Sequence, residues 1–237
     1  MKTMKTVDFI GGKVKIAKAD GYDAPSSDAV FLAAATPVKE NAQVLDVGQG
    51  CGILGILLAW RQPSIRVTGL EIDPELCKAA MLNFKLNKAD GLSKNADITK
   101  CKIRETFDCV ITNPPFFSEA PLSPVPQRGL ARTQTVPLKT WLDFCLKRVK
   151  PKGNFAMLHK PAALPEILAA FIAHKMGAAQ IIPIFSKAGQ PANRIIVRAI
   201  KGSGQAVQIL PGIVVHDGKA MTKAADAVLR DGGTLFL

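Results

Sequence analysis

The apolar run Gln43–Val47, QVLDV, is too short for a helix and ends on Gly48-Gln49-Gly50-Cys51-Gly52, after which residues 52–60 are apolar with helical character. A strand that empties into glycines and then into a helix restricts the chain to few architectures, because two backbone periodicities must meet at one turn. The alternation repeats. Residues 65–71 (IRVTGLE) read as a strand, and residues 74–87 as a helix that opens on Pro74 and Glu75 and sets Leu76, Ala79, Ala80 and Phe84 along one face. Phe107–Thr112 reads as a strand, 138–149 as a helix stopped by Pro151 and Gly153, 155–159 as a strand and 164–174 as a helix. Residues 181–185 and 194–200 follow as two strands without a helix between them, which makes a hairpin. Strands alternating with helices form a parallel sheet covered on both faces, and the unbroken apolar character of these strands fits burial on both sides. The expected class is α/β, with a mostly parallel sheet and an antiparallel edge hairpin.

The glycine turn lies at the carboxyl end of a parallel strand, where open α/β sheets bind ligands and a helix N-terminus offers free N–H groups. Gly48, Gly50 and Gly52 do not make the GxGxxG of a pyrophosphate loop, and Asp46 would repel a diphosphate while attracting a cationic amino acid. Glu71 ends the second strand and suits paired ribose hydroxyls. These residues suit a nucleoside that carries an amino acid, against the plainer reading of a structural turn.

At the end of a later strand stands Thr112-Asn113-Pro114-Pro115-Phe116-Phe117. An amino group on a planar ring or carbonyl is a poor nucleophile because its lone pair is delocalised. Two acceptors, the Asn113 side-chain oxygen and the Pro114 carbonyl, can hold its two N–H bonds and aim the lone pair at a methyl group. Pro114 and Pro115 stiffen the corner, and Phe116 offers a face for a flipped-out base. Phe117 reads equally well as core. The segment 118–137 that follows is rich in proline and carries Arg128 and Arg132, candidate phosphate contacts or ordinary surface arginines. Lys147, Arg148, Lys150 and Lys152 make a second basic cluster at a helix end, where the helix dipole explains them equally well.

The chain of 237 residues is 48% hydrophobic, enough for one sizeable core, and its net charge of +12 favours a polyanionic partner such as nucleic acid. Five scattered cysteines without a CxxC argue against a disulfide framework and a zinc site, and the three histidines have no paired ligand spacing, so no metal is expected. No apolar run reaches the length of a membrane span, and the N-terminus lacks an apolar stretch of signal-peptide length, which leads to the expectation of a cytoplasmic protein. The stretch VDFIGGKVKI carries a Gly11-Gly12 hairpin signal, residues 18–34 read as a loop, a Ser/Asp cap and an apolar helix, and VQILPGIVVHD reads as a last strand pair.

Asp46-Val47-Gly48-Gln49-Gly50-Cys51-Gly52 resembles motif I of Rossmann-like S-adenosylmethionine (SAM) methyltransferases, whose ribose-binding acid corresponds to Glu71. Asn95-Ala96-Asp97-Ile98 resembles their next motif, where an Asp contacts the adenine amine; Asp97 alone reads as well as a loop cap. That resemblance implies a seven-stranded Rossmann-like fold, SAM as cofactor, and a cofactor set of Asp46, Gly48, Gly50, Gly52, Glu71, Ile72, Asp97, Ile98 and Asn113. Asn113-Pro114-Pro115-Phe116 resembles the NPPY-type motif of amino-methyltransferases, with Phe116 for the commoner Tyr, and makes these four the catalytic set, with Phe116, Phe117, Arg128 and Arg132 on the substrate. The stretch from Asp20-Gly21-Tyr22 through Ser27-Asp28 resembles the bacterial tRNA1(Val) adenine-37 N6-methyltransferase family, where it closes over SAM. Trp141, Pro151-Lys152-Gly153, His159-Lys160 and Pro191-Ala192-Asn193-Arg194 extend the resemblance over most of residues 18–230; that family usually has Arg where this chain has Asp23. It implies methylation of adenine N6 in tRNA. Protein glutamine-N5 and rRNA guanine-N2 methylation are alternatives that share the chemistry. The expected organisation is an N-terminal extension (1–40), a methyltransferase domain (41–201) and a C-terminal extension packed on it (202–237).

Overall fold

A computed structural model describes residues 6–18, 22, 26–114 and 136–236 of the protein. β3 (Gln43–Val47), β4 (Arg66–Glu71), β5 (Gly91–Asn95), β6 (Phe107–Thr112) and β7 (Val149–His159) run parallel to their neighbours among themselves. β9 (Arg194–Lys201) lies antiparallel between β7 and β8 (Met176–Lys187), so the expected hairpin is present. These strands take the order β5-β4-β3-β6-β7-β9-β8. The chain leaves β3 in one direction to build β4 and β5, then returns to β6 on the other side. The carboxyl ends of β3 and β6 therefore flank a topological switch point.

Successive residues of each strand feed two cores, because side chains alternate across a sheet. Val44, Ile111 and Ala156 pack under α1 (Ser27–Ala34), α2 (Ile53–Arg61) and α3 (Pro74–Leu86). Their neighbours Leu45, Val110 and Phe155 pack under α4 (Leu138–Lys147) and α5 (Leu164–Ala173). Phe155 meets Phe171 edge-to-face at 5.8 Å, a contact that contributes about 1 kcal/mol beyond simple burial. α3 starts where it does because Asp73 Oδ1 accepts from the N–H groups of Glu75 (2.9 Å) and Leu76 (3.4 Å) ahead of Pro74 at its first turn. Loss of that cap costs about 1 kcal/mol.

β1 (Thr6–Phe9) and β2 (Val14–Ala17) form the Gly11-Gly12 hairpin. Two side-chain amides of α3 act as a surrogate strand along the edge of β2. Asn87 takes the N–H and C=O of Lys15 (3.0 and 2.7 Å), and Asn83 takes those of Ala17 (2.7 and 3.1 Å). Asn83 also donates to the carbonyl of Cys51 at 3.0 Å, so the hairpin is tied to the glycine turn.

Several elements differ from expectation. Ser26 caps α1 by position but makes no side-chain cap hydrogen bond. The helix at 138 ends at Lys147, and β7 begins at Val149 and runs through Pro151 and Gly153. The β6–β7 ladder jumps from Phe107↔Val149 to Cys109↔Asn154, so this segment bulges out of a strand that has already started. The last strand pair is not a pair. β10 (Gln208–Ile209) and β11 (Ile213–Asp217) lie one after the other along the outer edge of β8, and β11 turns back onto β12 (Ala220–Met221). These short strands widen the sheet to ten. Among the described residues no helix is long and apolar enough to cross a membrane.

Candidate active site

Strand register decides which residues meet. Val47 of β3 pairs with Thr112 of β6 on one side and with Leu70 of β4 on the other. Gly48, Asn113 and Glu71 therefore leave one edge of the sheet side by side, at strand spacings of about 4.8 Å.

The glycine turn is clamped from below. Gly48 and Gln49 both donate their N–H groups to the carbonyl of Leu70, at 2.9 and 3.1 Å. The Gln49 side chain dives inward to donate to Ser93 Oγ, through space that exists only because residue 69 is glycine; a Cβ there would lie 1.6 Å from Gln49 Oε1. Gly50 has a φ of +57° and no atom within 4 Å of a would-be Cβ, so it faces open space. Glu71, 5% exposed, accepts from the Gly50 N–H at 2.9 Å and the Asp73 N–H at 3.0 Å. Burial raises its pKa, opposed by those N–H groups. The Tyr22 hydroxyl donates to Asp73 Oδ2 at 2.7 Å.

Asp46 sits under the turn and is fully buried. Neither of its oxygens has a hydrogen bond of good geometry among the described residues. Burial pushes its pKa from 3.8 up to about 7; the Gly55 N–H pulls it down and the nearby Glu71 adds a smaller upward push. An orphaned buried carboxyl beside a second acid is a place prepared for positive charge.

Beside Glu71 a shallow cleft, open to solvent, is lined by Gly48, Glu71, Ile72, Asp97, Ile98 and Trp141 among others. Asp97 caps its own turn, accepting from the Thr99 N–H (2.9 Å) and hydroxyl (2.7 Å), and these hold its pKa low. It thus fills the cap role and lines the cleft at once. Gly52 points elsewhere: a Cβ there would lie 3.3 Å from Ala80 Cβ, so its service is the close approach of α2 and α3.

On the neighbouring strand, Asn113 Oδ1 is buried without a hydrogen-bond partner among the described residues. Pro114 is buried beside it. Pro115, Phe116, Phe117, Arg128 and Arg132 lie outside the described residues. The Lys147–Lys152 cluster belongs to the opposite edge of the sheet, at the start of β7. There Lys150 pairs with Asp108 at 3.0 Å, and Arg148 stacks on Phe144 while donating to the carbonyls of Phe144 and Ile103.

Residues 20–128 match the family described as the Methyltransferase small domain. The tRNA1(Val) (adenine(37)-N6)-methyltransferase of Actinobacillus pleuropneumoniae serotype 7 (strain AP76) is 29% identical over 175 residues, which cover 73% of this chain and 74% of the relative. The enzyme of that name from Aeromonas hydrophila is 28% identical over 196 residues, covering 80% and 81%. The chain is thus similar to these methyltransferases over most of its length. Its fold is that of an Agrobacterium tumefaciens protein described as a predicted O-methyltransferase, with a TM-score of 0.70 at 24% identity over 88% of this chain and 98% of that one. The Thermus thermophilus 16S rRNA N2 G1207 methyltransferase, solved with AdoMet and guanosine, shares the fold at a TM-score of 0.57 and 18% identity over 84% of this chain and 50% of that one.

Within the site, four contacts were not foreseen in the sequence. Gln49 threads past Gly69 to Ser93. Asn95 Nδ2 donates to the carbonyls of Glu71 (3.0 Å) and Ile72 (2.8 Å) and so orients the acid. Tyr22 reaches Asp73, and Trp141 reaches Thr112. Asn95, Tyr22 and Trp141 stand in the motifs quoted from the sequence, which assigned them no such partners.

Proposed function

We propose that this chain transfers the methyl group of SAM to N6 of an adenine in tRNA, of the kind named for its relatives, tRNA1(Val) adenine 37. The observation that carries this is the Val47↔Thr112 register, which sets the glycine turn beside a corner whose amide oxygen is buried and has no hydrogen-bond partner among the described residues.

The residues present fit SAM. Asp46 and Glu71 supply negative charge to a cationic ligand, and Gly50 leaves open the space a side chain would fill. Glu71 takes the ribose hydroxyls with its remaining lone pairs, and Asp97 with Ile72 and Ile98 takes the adenine end of the cleft. Gly48, Gly50 and Gly52 shape the turn around it. Bound, SAM supplies an electrophilic methyl group on a sulfonium.

Asn113 Oδ1 and the Pro114 carbonyl accept the two N–H bonds of the target amine. This holds the nitrogen in position and favours its change toward tetrahedral geometry. An unsatisfied buried acceptor costs about 1–3 kcal/mol in the free protein, a penalty removed when the amine binds. Pro115 stiffens the corner, Phe116 and Phe117 stack the extruded base, and Arg128 and Arg132 hold phosphates. The net charge of +12 suits a polyanion and the substrate assigns the work to the cytoplasm.

The test is incubation of purified protein with labelled SAM and total tRNA, followed by nucleoside digestion. N6-methyladenosine is expected. Label in N2-methylguanosine, or in protein glutamine when protein is offered, would replace the tRNA assignment.

A further inference from the structure

The indole of Trp141, 3% exposed, touches both halves of the site. Its Nε1–H donates to Thr112 Oγ1 at 2.9 Å, and the fully buried Thr112 hydroxyl donates to the carbonyl of Val47 at 2.7 Å. Its six-membered ring lies against the glycine turn, where a Cβ on residue 48 would be 2.9 Å from both Cζ2 and Cη2. An indole N–H can only donate, and a hydroxyl has one proton, so the direction Trp141→Thr112→Val47 is unique. The chain of bonds joins α4 to the last residues of β6 and β3. Beyond it the Gly48 and Gln49 N–H groups turn to the carbonyl of Leu70 on β4.

Packing alone does not call for this arrangement. A phenylalanine at 141 and a valine at 112 would supply apolar surface there without burying an indole N–H and a hydroxyl that must find partners. The residue after Thr112 is Asn113, and the residue after Val47 is Gly48.

We infer that Trp141 and Thr112 are positioning residues, a strut that sets the distance between the methyl donor at the glycine turn and the amine held at Asn113. The inference rests on the methyl-transfer function proposed above and adds to it the element that fixes the reacting distance. A misplacement of about 1 Å between reacting atoms can cost on the order of 10²-fold in rate. The strut should therefore show in the transfer step at saturating SAM.

The experiment compares Thr112→Val, Thr112→Ser, Trp141→Phe and the double variant Thr112→Val/Trp141→Phe with the wild type. It measures the single-turnover rate at saturating SAM and tRNA, the Kd for SAM by calorimetry, and the melting temperature. The expected result is a rate at saturating SAM lowered about 10- to 100-fold in Thr112→Val and in Trp141→Phe, with the Kd for SAM within about threefold of wild type in Thr112→Val, whose side chain does not line the cleft. Thr112→Ser, which keeps the hydroxyl, should retain most of the rate. The double variant should be no slower than the slower single variant, as for residues that act as a unit. A folded Trp141→Phe with the wild-type rate overturns the inference, and so does a loss that appears only in SAM affinity or is as large in Thr112→Ser as in Thr112→Val. Should Thr112→Val fail to fold, Trp141→Phe and Thr112→Ser decide it. Every rate is taken relative to wild type on the acceptor that wild type methylates, so a different wild-type product corrects the proposed substrate without touching the strut.

Discussion

Asp46 makes the free protein less stable as pH rises, and the effect has a calculable size. Its carboxyl stands at about 7 in the fold against 3.8 in water, because burial penalises the ion. Ionising it inside the protein rather than in the unfolded chain costs about 4 kcal/mol. Between pH 4 and 7 the unfolded chain has released this proton while the folded one keeps it. Stability therefore falls as pH rises through that window, and the full cost is present above the folded pKa. Asp46→Asn keeps the shape and removes the titration. Its buried amide carries a desolvation cost of its own, but that cost does not change with pH. The informative quantity is thus the difference between variant and wild type, measured by urea unfolding at several values from pH 4.5 to 8.5. That difference should move in favour of the variant by about 3 kcal/mol across the range, since about 1 kcal/mol of the cost is already present at its acid end. Saturating SAM should remove much of the slope in the wild type, since a cationic ligand favours the ionised carboxyl, and SAM binding should release a proton near neutral pH. Two curves that stay parallel over the whole range would refute the assignment of a raised pKa to Asp46.

Other outcomes follow from neighbouring residues. Glu71→Gln removes the charge and keeps an acceptor for only one of the Gly50 and Asp73 N–H groups; the Kd for SAM should rise at least about tenfold, with a smaller change in rate at saturation, and an unchanged Kd would remove Glu71 from the cofactor site. Gly48→Ala forces a side chain onto a φ of +70° and into the Trp141 ring; it should cost about 1–3 kcal/mol, read as a melting temperature lower by several degrees, and unaltered stability would contradict the close contact. Lys147→Glu combined with Lys152→Glu alters the sheet edge opposite the site and should leave the KM for tRNA within about threefold, because screening suppresses charge effects beyond about 10 Å. A large rise in KM would place RNA on that edge.

What could be read in the sequence follows from how local each signal is. β3, β4, β6 and the β8–β9 hairpin announce themselves as short apolar runs bounded by glycine, proline or acid, and their parallel order follows from the intervening helices. β5 does not: GLSKN has one large apolar residue, because an edge strand with a half-exposed face needs no more. β7 starts behind a Pro-Lys-Gly bulge that looks, in sequence, like the stop signal of the preceding helix. β10 and β11 owe their place to the free edge of β8, a partner that no neighbouring residue indicates. In the site, Asp46, Glu71 and Asn113 were legible because a polar residue at the carboxyl end of an apolar strand has few structural uses. The partners that hold them were not. Trp141 and Thr112 are 29 residues apart, Tyr22 and Asp73 are 51, and Asn83 is 66 from Ala17; each pair is made by topology.

The central claim is that the amide of Asn113 faces the methyl group bound at the glycine turn. It is tested most directly on Asn113→Ala by measuring, on the same protein, the Kd for SAM and the single-turnover rate with tRNA at saturation. The rate should fall on the order of 10²-fold or more while the Kd for SAM stays within about threefold of wild type. A rate that survives, or one lost only in step with SAM affinity, would mean that Asn113 does not hold the acceptor amine.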